Sequence, residues 1–249
     1  MWPRRSEALF IGLSNTQVTC QFAGGTPEVT PLSMRSGRFE QIAATFEASS
    51  MPSRFAAVHV VAGSSVARHW LQIAPPGLRS LSELQALVQS RADQLFGGDA
   101  EWVVAADWHA TRPFLCAALP REVDRLASSI ARSRGATSHL ATSLSLALIQ
   151  HARRLPADGW AVLHEPEALH LLFLSTGRLE HSRTATVPVE LQGSALEREA
   201  AAEVARSSAL AGGLPTSPMT LLSMSEDPGA TQAATALSLA ARPFDGRTA

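Results

Sequence analysis

The side chains in this sequence that are suited to chemistry are few and scattered. Gly12-Leu13 is followed by Ser14-Asn15-Thr16, which puts two hydroxyls and an amide into one turn. Such donors can hold a phosphate, and they also close an ordinary hairpin. Asp107 and His109 flank Trp108. An Asp–His pair suits acid–base work, but no GxSxG or comparable nucleophile motif accompanies it, so a turn with a stacked Trp is the expectation. His59 and His69 lie in consecutive apolar runs and are placed to approach each other across a hairpin. A metal would need a third ligand, and no HxH, HExxH or CxxC spacing occurs, so they read as ordinary strand histidines. Cys20 and Cys116 fall in separate predicted strands. Two buried, reduced thiols are expected, with one disulfide as the alternative.

The elements that must position these groups follow from periodicity. Ala8–Leu13 and Gln17–Phe22 read as a β-hairpin closed by the Ser-Asn-Thr turn. Weak helical patterning runs over 36–49. Residues 54–62 and 64–73 read as two more strands, paired as a hairpin around Gly63-Ser64. Ser80 and Glu83 fit a capping box opening a helix to about Leu95, ended by Gly97-Gly98. Residues 101–108 and 112–119 form another hairpin. Val123, Leu126, Ala127 and Ile130 recur at i, i+3, i+4, i+7 and make a helix that Gly135 ends. A polar segment then leads to a second helix with Leu144, Leu148 and Ile149 on its buried side. Three strands follow, at 160–164, 168–174 and 179–186, then a helix over 194–210, a strand over 219–224 and a last helix to about residue 241. From Phe114 to Arg183 the expected order is thus strand, helix, helix, three-stranded meander.

With 249 residues, 45% of them apolar, the chain can bury a substantial core. A formal charge of -1 gives no electrostatic case for nucleic acid or an anionic membrane. Every Lys/Arg position is Arg, Tyr is absent and Asn15 is the one asparagine, a bias that suggests GC-rich, bacterial coding. The apolar run behind Met1-Trp-Pro-Arg-Arg is too short for a signal peptide, and no stretch approaches the ~18 apolar residues of a spanning helix. A soluble, cytoplasmic chain, recruited to any membrane by a partner, is the expectation.

Pro120-Arg121-Glu122-Val123, Gly135, Leu146-Ala147-Leu148 and Gly177…Arg183 stand in an order and spacing that resembles the middle of PilM-type pilus assembly proteins and of the cytoplasmic part of GspL-type secretion proteins. The resemblance covers Phe114–Arg183 and rests on order, since no single match is specific. It implies an α/β, actin/hexokinase-like (ribonuclease H-like) fold of two lobes with a shortened second lobe. The first lobe would span 1–155, the second 156–241, and 242–249 would be a tail. It also places the cofactor-binding turn of such folds at Gly12, Ser14, Asn15 and Thr16, where relatives that bind ATP carry an Asp that this chain lacks. The second phosphate turn falls at Leu163-His164-Glu165-Pro166-Glu167-Ala168. Here the expected glycine is missing, so backbone cannot approach phosphate, and Pro166 removes a donor. The two glutamates read as a solvated hairpin tip.

The resemblance therefore implies a binding protein and no catalytic residues. It describes an adaptor of a type IV pilus or type II secretion-like platform that holds the cytoplasmic tail of a bitopic inner-membrane protein and touches a motor ATPase or platform protein, without hydrolysing ATP. The competing reading is an actin-like ATPase or sugar-kinase relative using Ser14, Asn15, Thr16 and Glu165 around Mg-ATP, which requires carboxylates to place the metal and water. A third is an α/β interaction module unrelated to nucleotides.

Overall fold

The structure is a computed structural model and describes residues 8–14, 17–22, 28–31, 56–97, 101–109 and 111–224. The helices expected over 36–49 and up to residue 241 lie outside the described residues, as do Asn15 and Thr16. The described chain forms two compact units. Among the described residues, the first takes its residues from 8–63 and 125–153, the second from 64–124 and 154–224.

In the first unit, β1 (Ala8–Leu13) pairs antiparallel with β2 (Gln17–Phe22), and β2 with β3 (Glu28–Pro31). On its other side β1 pairs in parallel with β4 (Ala57–Ala62), which pairs in parallel with β8 (Thr137–Thr142). The order β3-β2-β1-β4-β8 gives three antiparallel strands continued by two parallel ones. The expected hairpin of residues 54–62 with 64–73 does not form. The first of these runs is β4, between β1 and β8. The second is β5 (Arg68–Gln72), which pairs with β7 (Phe114–Pro120) in a separate sheet. Val58, Val60 and Ala62 are buried beside Leu9, Ile11 and Leu13, a central-strand position that a hairpin tip could not supply.

Strand β8 is a second departure. The polar segment TSHLAT is a strand rather than a connection, so the order is strand, helix, strand, helix, meander. α2 (Arg121–Arg134) buries Val123, Leu126, Ala127, Ile130 and Ala131 as its spacing predicts, and ends at Gly135 with φ +66°. α3 (Ser143–Gln150) starts at Thr142, whose hydroxyl accepts from Ser145 N at 3.2 Å. It buries Leu144, Leu146 and Ala147, while Ile149 is exposed.

The second unit holds two sheets. β6 (Trp102–Ala106) and β7 form the expected hairpin, with β5 on the far side of β7. α1 (Leu81–Phe96) lays Leu84, Val88 and Ala92 against Trp70, Trp102, Phe114 and Cys116. The Ser80 half of the expected capping box is present, Ser80 Oγ accepting from Glu83 N at 3.2 Å, but Glu83 Oε2 reaches one residue further back and accepts from Arg79 N at 2.7 Å rather than from Ser80 N.

The other sheet is the meander β9 (Gly159–Glu165), β10 (Ala168–Ser175) and β11 (Arg178–Thr186), with β12 (Met219–Ser223) parallel to β9. Thr176 and Gly177 both take positive φ, +52° and +70°, the conformation of a two-residue hairpin turn. β9 and β10 are buried along almost their whole length, which explains apolar runs without alternation. One face packs Trp160, Val162, Leu169, Leu171 and Phe173 against Ala200 and Val204 of α4 (Gly193–Leu210). Gly159 (φ +111°) lets Pro218 come close: Trp160 N donates to Pro218 O at 2.8 Å and Trp160 Nε1 to Pro215 O at 2.6 Å.

Candidate functional site

Gly12 sits in β1 opposite Thr19, and a Cβ there would meet Thr19 Cβ at 3.5 Å, an ordinary contact. Packing therefore does not demand glycine at this position. Ser14 spends its polar groups on its own hairpin: its N donates to Gln17 O at 3.0 Å, and its Oγ accepts from Gln17 N at 3.0 Å.

The second turn behaves differently from a solvated tip. β9 ends at Glu165, paired with Ala168 across Pro166-Glu167, and the Glu165 side chain is 16% exposed. Its Oε2 accepts from Ser64 N at 3.0 Å and from the Ser64 hydroxyl, 101 residues away in sequence. The same oxygen lies 3.5 Å from His170 Nε2. His170 is fully buried in β10, on the face opposite the Trp160 cluster. Its Nε2 is 2.6 Å from Ser64 Oγ, and its Nδ1 is 3.0 Å from the hydroxyl of Thr184, its partner across β10–β11. His69 of β5 presents its ring edge-on to His170, centroids 5.6 Å apart. Arg68 Nη1 donates to Ser64 O at 3.1 Å.

Electrostatics fix the protons in this cluster. Burial opposes charge on Glu165, but hydrogen bonds from His170 and Ser64, with His170's charge, overcome it and hold the carboxyl at about 2. Burial, then the charges of His170 and Arg68, push His69 down to about 3, with Glu165 opposing, so His69 is neutral. An ionised Glu165 must receive the Ser64 hydroxyl proton, because an unprotonated contact between two oxygens would be repulsive. His170 bridges the Ser64 and Thr184 hydroxyls through its two ring nitrogens. Thr184, His170, Ser64 and Glu165 thus form one continuous polar chain.

This ordering decides what the cluster can do. A nucleophilic serine needs an unprotonated Nε2 to take its proton, and a carboxylate on Nδ1 to orient the ring. Here Nδ1 meets the Thr184 hydroxyl rather than a carboxylate, and the carboxylate sits on the serine side. The cluster gathers Ser64 and His170 around one carboxylate oxygen, without the carboxylate on the far ring nitrogen that orients an acyl-transfer histidine.

The other sequence candidates disperse. His59 stacks between Phe10 and His139, both centroid distances being 4.9 Å, in the first unit, while His69 lies in the second. Their expected approach across a hairpin fails because that hairpin does not exist. Burial, then the His139 charge, lowers His59 to about 4. Asp107 N donates to Leu115 O, Trp108 lies 6.1 Å from Phe114, and His109 Nδ1 accepts from Thr111 N, as expected of a turn. Cys20 and Cys116 are not joined in a disulfide; Cys20 is half-buried rather than buried as expected, and burial pushes Cys116 up to about 12. Arg183 pairs with Glu203 at 3.5 Å, and Arg206 holds Glu203 at 2.7 Å.

Among the described residues, no three His, Cys, Asp or Glu side chains converge as metal ligands. In the described parts of the two turns, Ser14 bonds to Gln17 and Glu165 to Ser64. The described helices include none long and apolar enough to cross a membrane. Ser64, His170 and Thr184 escaped the sequence reading. The available signal was His170 itself, a polar residue inside the uninterrupted run ALHLLFLS, which must find partners when buried.

No protein-family model matches the sequence, and no curated protein is similar to it in sequence. Solved structures are similar in fold. A Bacteroides thetaiotaomicron protein with an actin-like ATPase fold aligns at a TM-score of 0.56 and 9% identity, covering 94% of this chain and 89% of that one. The cytoplasmic domain of EpsL, an inner-membrane component of the type II secretion system of Vibrio cholerae, aligns at 0.51 and 12% identity, covering 96% and 97%. A chain of a PilM–PilN type IV pilus biogenesis complex aligns at 0.46 and 15%, covering 86% and 68%. A five-stranded mixed sheet in one unit, a second unit entered and left by repeated crossings, and near-complete alignment with the Bacteroides protein and the EpsL domain establish an α/β chain of the actin-like ATPase fold.

Proposed function

We propose that this chain is a cytoplasmic adaptor of a type II secretion- or pilus-like assembly platform. It holds the cytoplasmic tail of a bitopic inner-membrane protein and links it to a motor ATPase or platform protein, and it does not hydrolyse ATP. The observation that carries this reading is co-extension with the EpsL domain: 96% of this chain aligns with 97% of a domain that belongs to a secretion apparatus. The fate of Glu165 supports the absence of hydrolysis, since the carboxylate nearest the second turn is occupied by Ser64 and His170. An extended tail would add to an exposed strand edge. Among the described residues β8 has a strand partner on one side only, and its first residues are exposed.

The test is capture from a native membrane fraction with the tagged full chain. Recovery of one single-pass protein, released by a synthetic peptide of its cytoplasmic tail, is the expected result. Recovery of soluble proteins alone would overturn the reading. Thermal unfolding with millimolar Mg-ATP should leave the midpoint unmoved, because a ligand that binds only the folded state must raise it. A clear rise would show a nucleotide site and direct attention to Gly12, Ser14, Asn15 and Thr16, and phosphate release from that complex would then reject the non-hydrolytic half.

A further inference from the structure

We propose that the Ser64 backbone N–H, the Ser64 hydroxyl and the His170 imidazole form a receptor for a small carboxylate, and that Glu165 fills it as an intramolecular ligand. The receptor's parts come from separate elements. Ser64 heads the turn into β5, His170 is in the middle of β10, and Glu165 arrives from the end of β9. Each donor is set by something other than Glu165. Thr184 fixes the His170 ring from its far nitrogen, and Arg68 ties the Ser64 carbonyl at 3.1 Å and brings a positive charge to the same turn. A site whose donors are positioned independently of their acceptor is preorganised, and it should accept another carboxylate of the right size.

The groups around the carboxylate agree with an anion site. Ser64 faces it from the turn and His170 from β10, while Arg68 of β5 holds the Ser64 carbonyl and His69, neutral, stands beside His170. The remaining exposure of Glu165 gives an added carboxylate a way in once the native side chain is gone. In the natural chain the tethered carboxylate has a high local concentration, so external anions compete poorly. The inference is independent of the adaptor reading, since it concerns one cluster inside the second unit.

The experiment is chemical rescue in the full chain. Glu165→Ala removes the internal ligand and leaves the donors. Sodium formate and acetate are titrated against sodium chloride at equal ionic strength, following the thermal midpoint and the exchange of the Ser64 amide. The expected result is a saturable rise of the Glu165→Ala midpoint in formate, with Ser64 exchange slowed about tenfold or more relative to chloride. Wild type and Glu165→Gln, in which the site stays filled, should not respond. If formate acts no differently from chloride on Glu165→Ala, or moves Glu165→Gln equally, the receptor is refuted. Should Glu165→Ala fail to fold in chloride, refolding yield reads the same question. Recovery in formate supports the receptor, and no recovery overturns it.

Discussion

Three side chains dominate the response to acid among the described residues, with His164, His181 and Glu203 lowered in the same direction. Glu165 is held at about 2 against an ordinary 4.5, His69 at about 3 and His59 at about 4 against 6.5. In each case the folded value is depressed, so the unfolded chain binds protons more readily and stability falls as pH falls. The histidine contributions are complete above 6.5 and drain away toward 4 and 3. The Glu165 contribution is complete above 4.5 and drains away toward 2. Chemical denaturation from pH 7.5 downward should therefore show a decline beginning near 6.5 and an added decline below 4.5. Glu165→Gln should show a smaller second decline, the remainder coming from groups such as Glu203, whose carboxyl the Arg206 hydrogen bond holds below its ordinary value. At neutral pH it should lose about 1.5–3 kcal/mol, the range for a hydrogen bond to a charged group. An unchanged acid limb in that variant would show that Glu165 is not clasped.

At the scale of elements, close backbone approach makes sharper predictions than composition does. A Cβ on Gly159 would stand 2.5 Å from Pro218 O, whereas one on Gly177 would meet nothing within 4 Å. Both residues have positive φ, so both alanine variants bear the conformational cost of about 1–2 kcal/mol. Gly159→Ala adds overpacking of about 1–3 kcal/mol against a strand connection that cannot retreat without losing the Trp160 bonds. Urea unfolding should rank Gly159→Ala well below Gly177→Ala, and equal midpoints would contradict the close approach. Ser80→Ala, which removes the cap of α1, should cost about 1 kcal/mol in the same measurement.

These elements also show where sequence reading succeeds and stops. The cap at Ser80, the Thr176-Gly177 turn and the apolar stripe of α2 are local, and periodicity or turn chemistry announces them. β8 was not legible, because TSHLAT has no alternation and owes its strand form to parallel pairing with β4. β4 and β5 looked like a hairpin because two apolar runs around Gly-Ser always do, and no local feature says which sheet each will join. Of the site, Glu165 could be singled out from its turn. Ser64 could not, since what marks it is a partner 101 residues later.

At the scale of the whole molecule, the interleaving of the two units limits how the chain can be divided. A fragment ending at residue 155 contains β5, β6, β7 and α1 but none of β9–β12, with which they share the second unit. It should unfold less cooperatively than the full chain and leave Ser64 without its acceptor. A sharp, full-chain-like transition from residues 1–155 would instead favour two lobes that are continuous in sequence.

The same interleaving sets a schedule during synthesis. Ser64 leaves the ribosome 101 residues before Glu165. At about 5–20 residues per second, its amide and hydroxyl wait roughly 5–20 s for their acceptor. Over that interval β5, β6 and β7 can pair locally, while the turn before them stays open to water or to a chaperone. Translation pauses between residues 124 and 165 would lengthen this exposure, so the yield of folded protein should depend on codon speed in that window more than in the stretch after it.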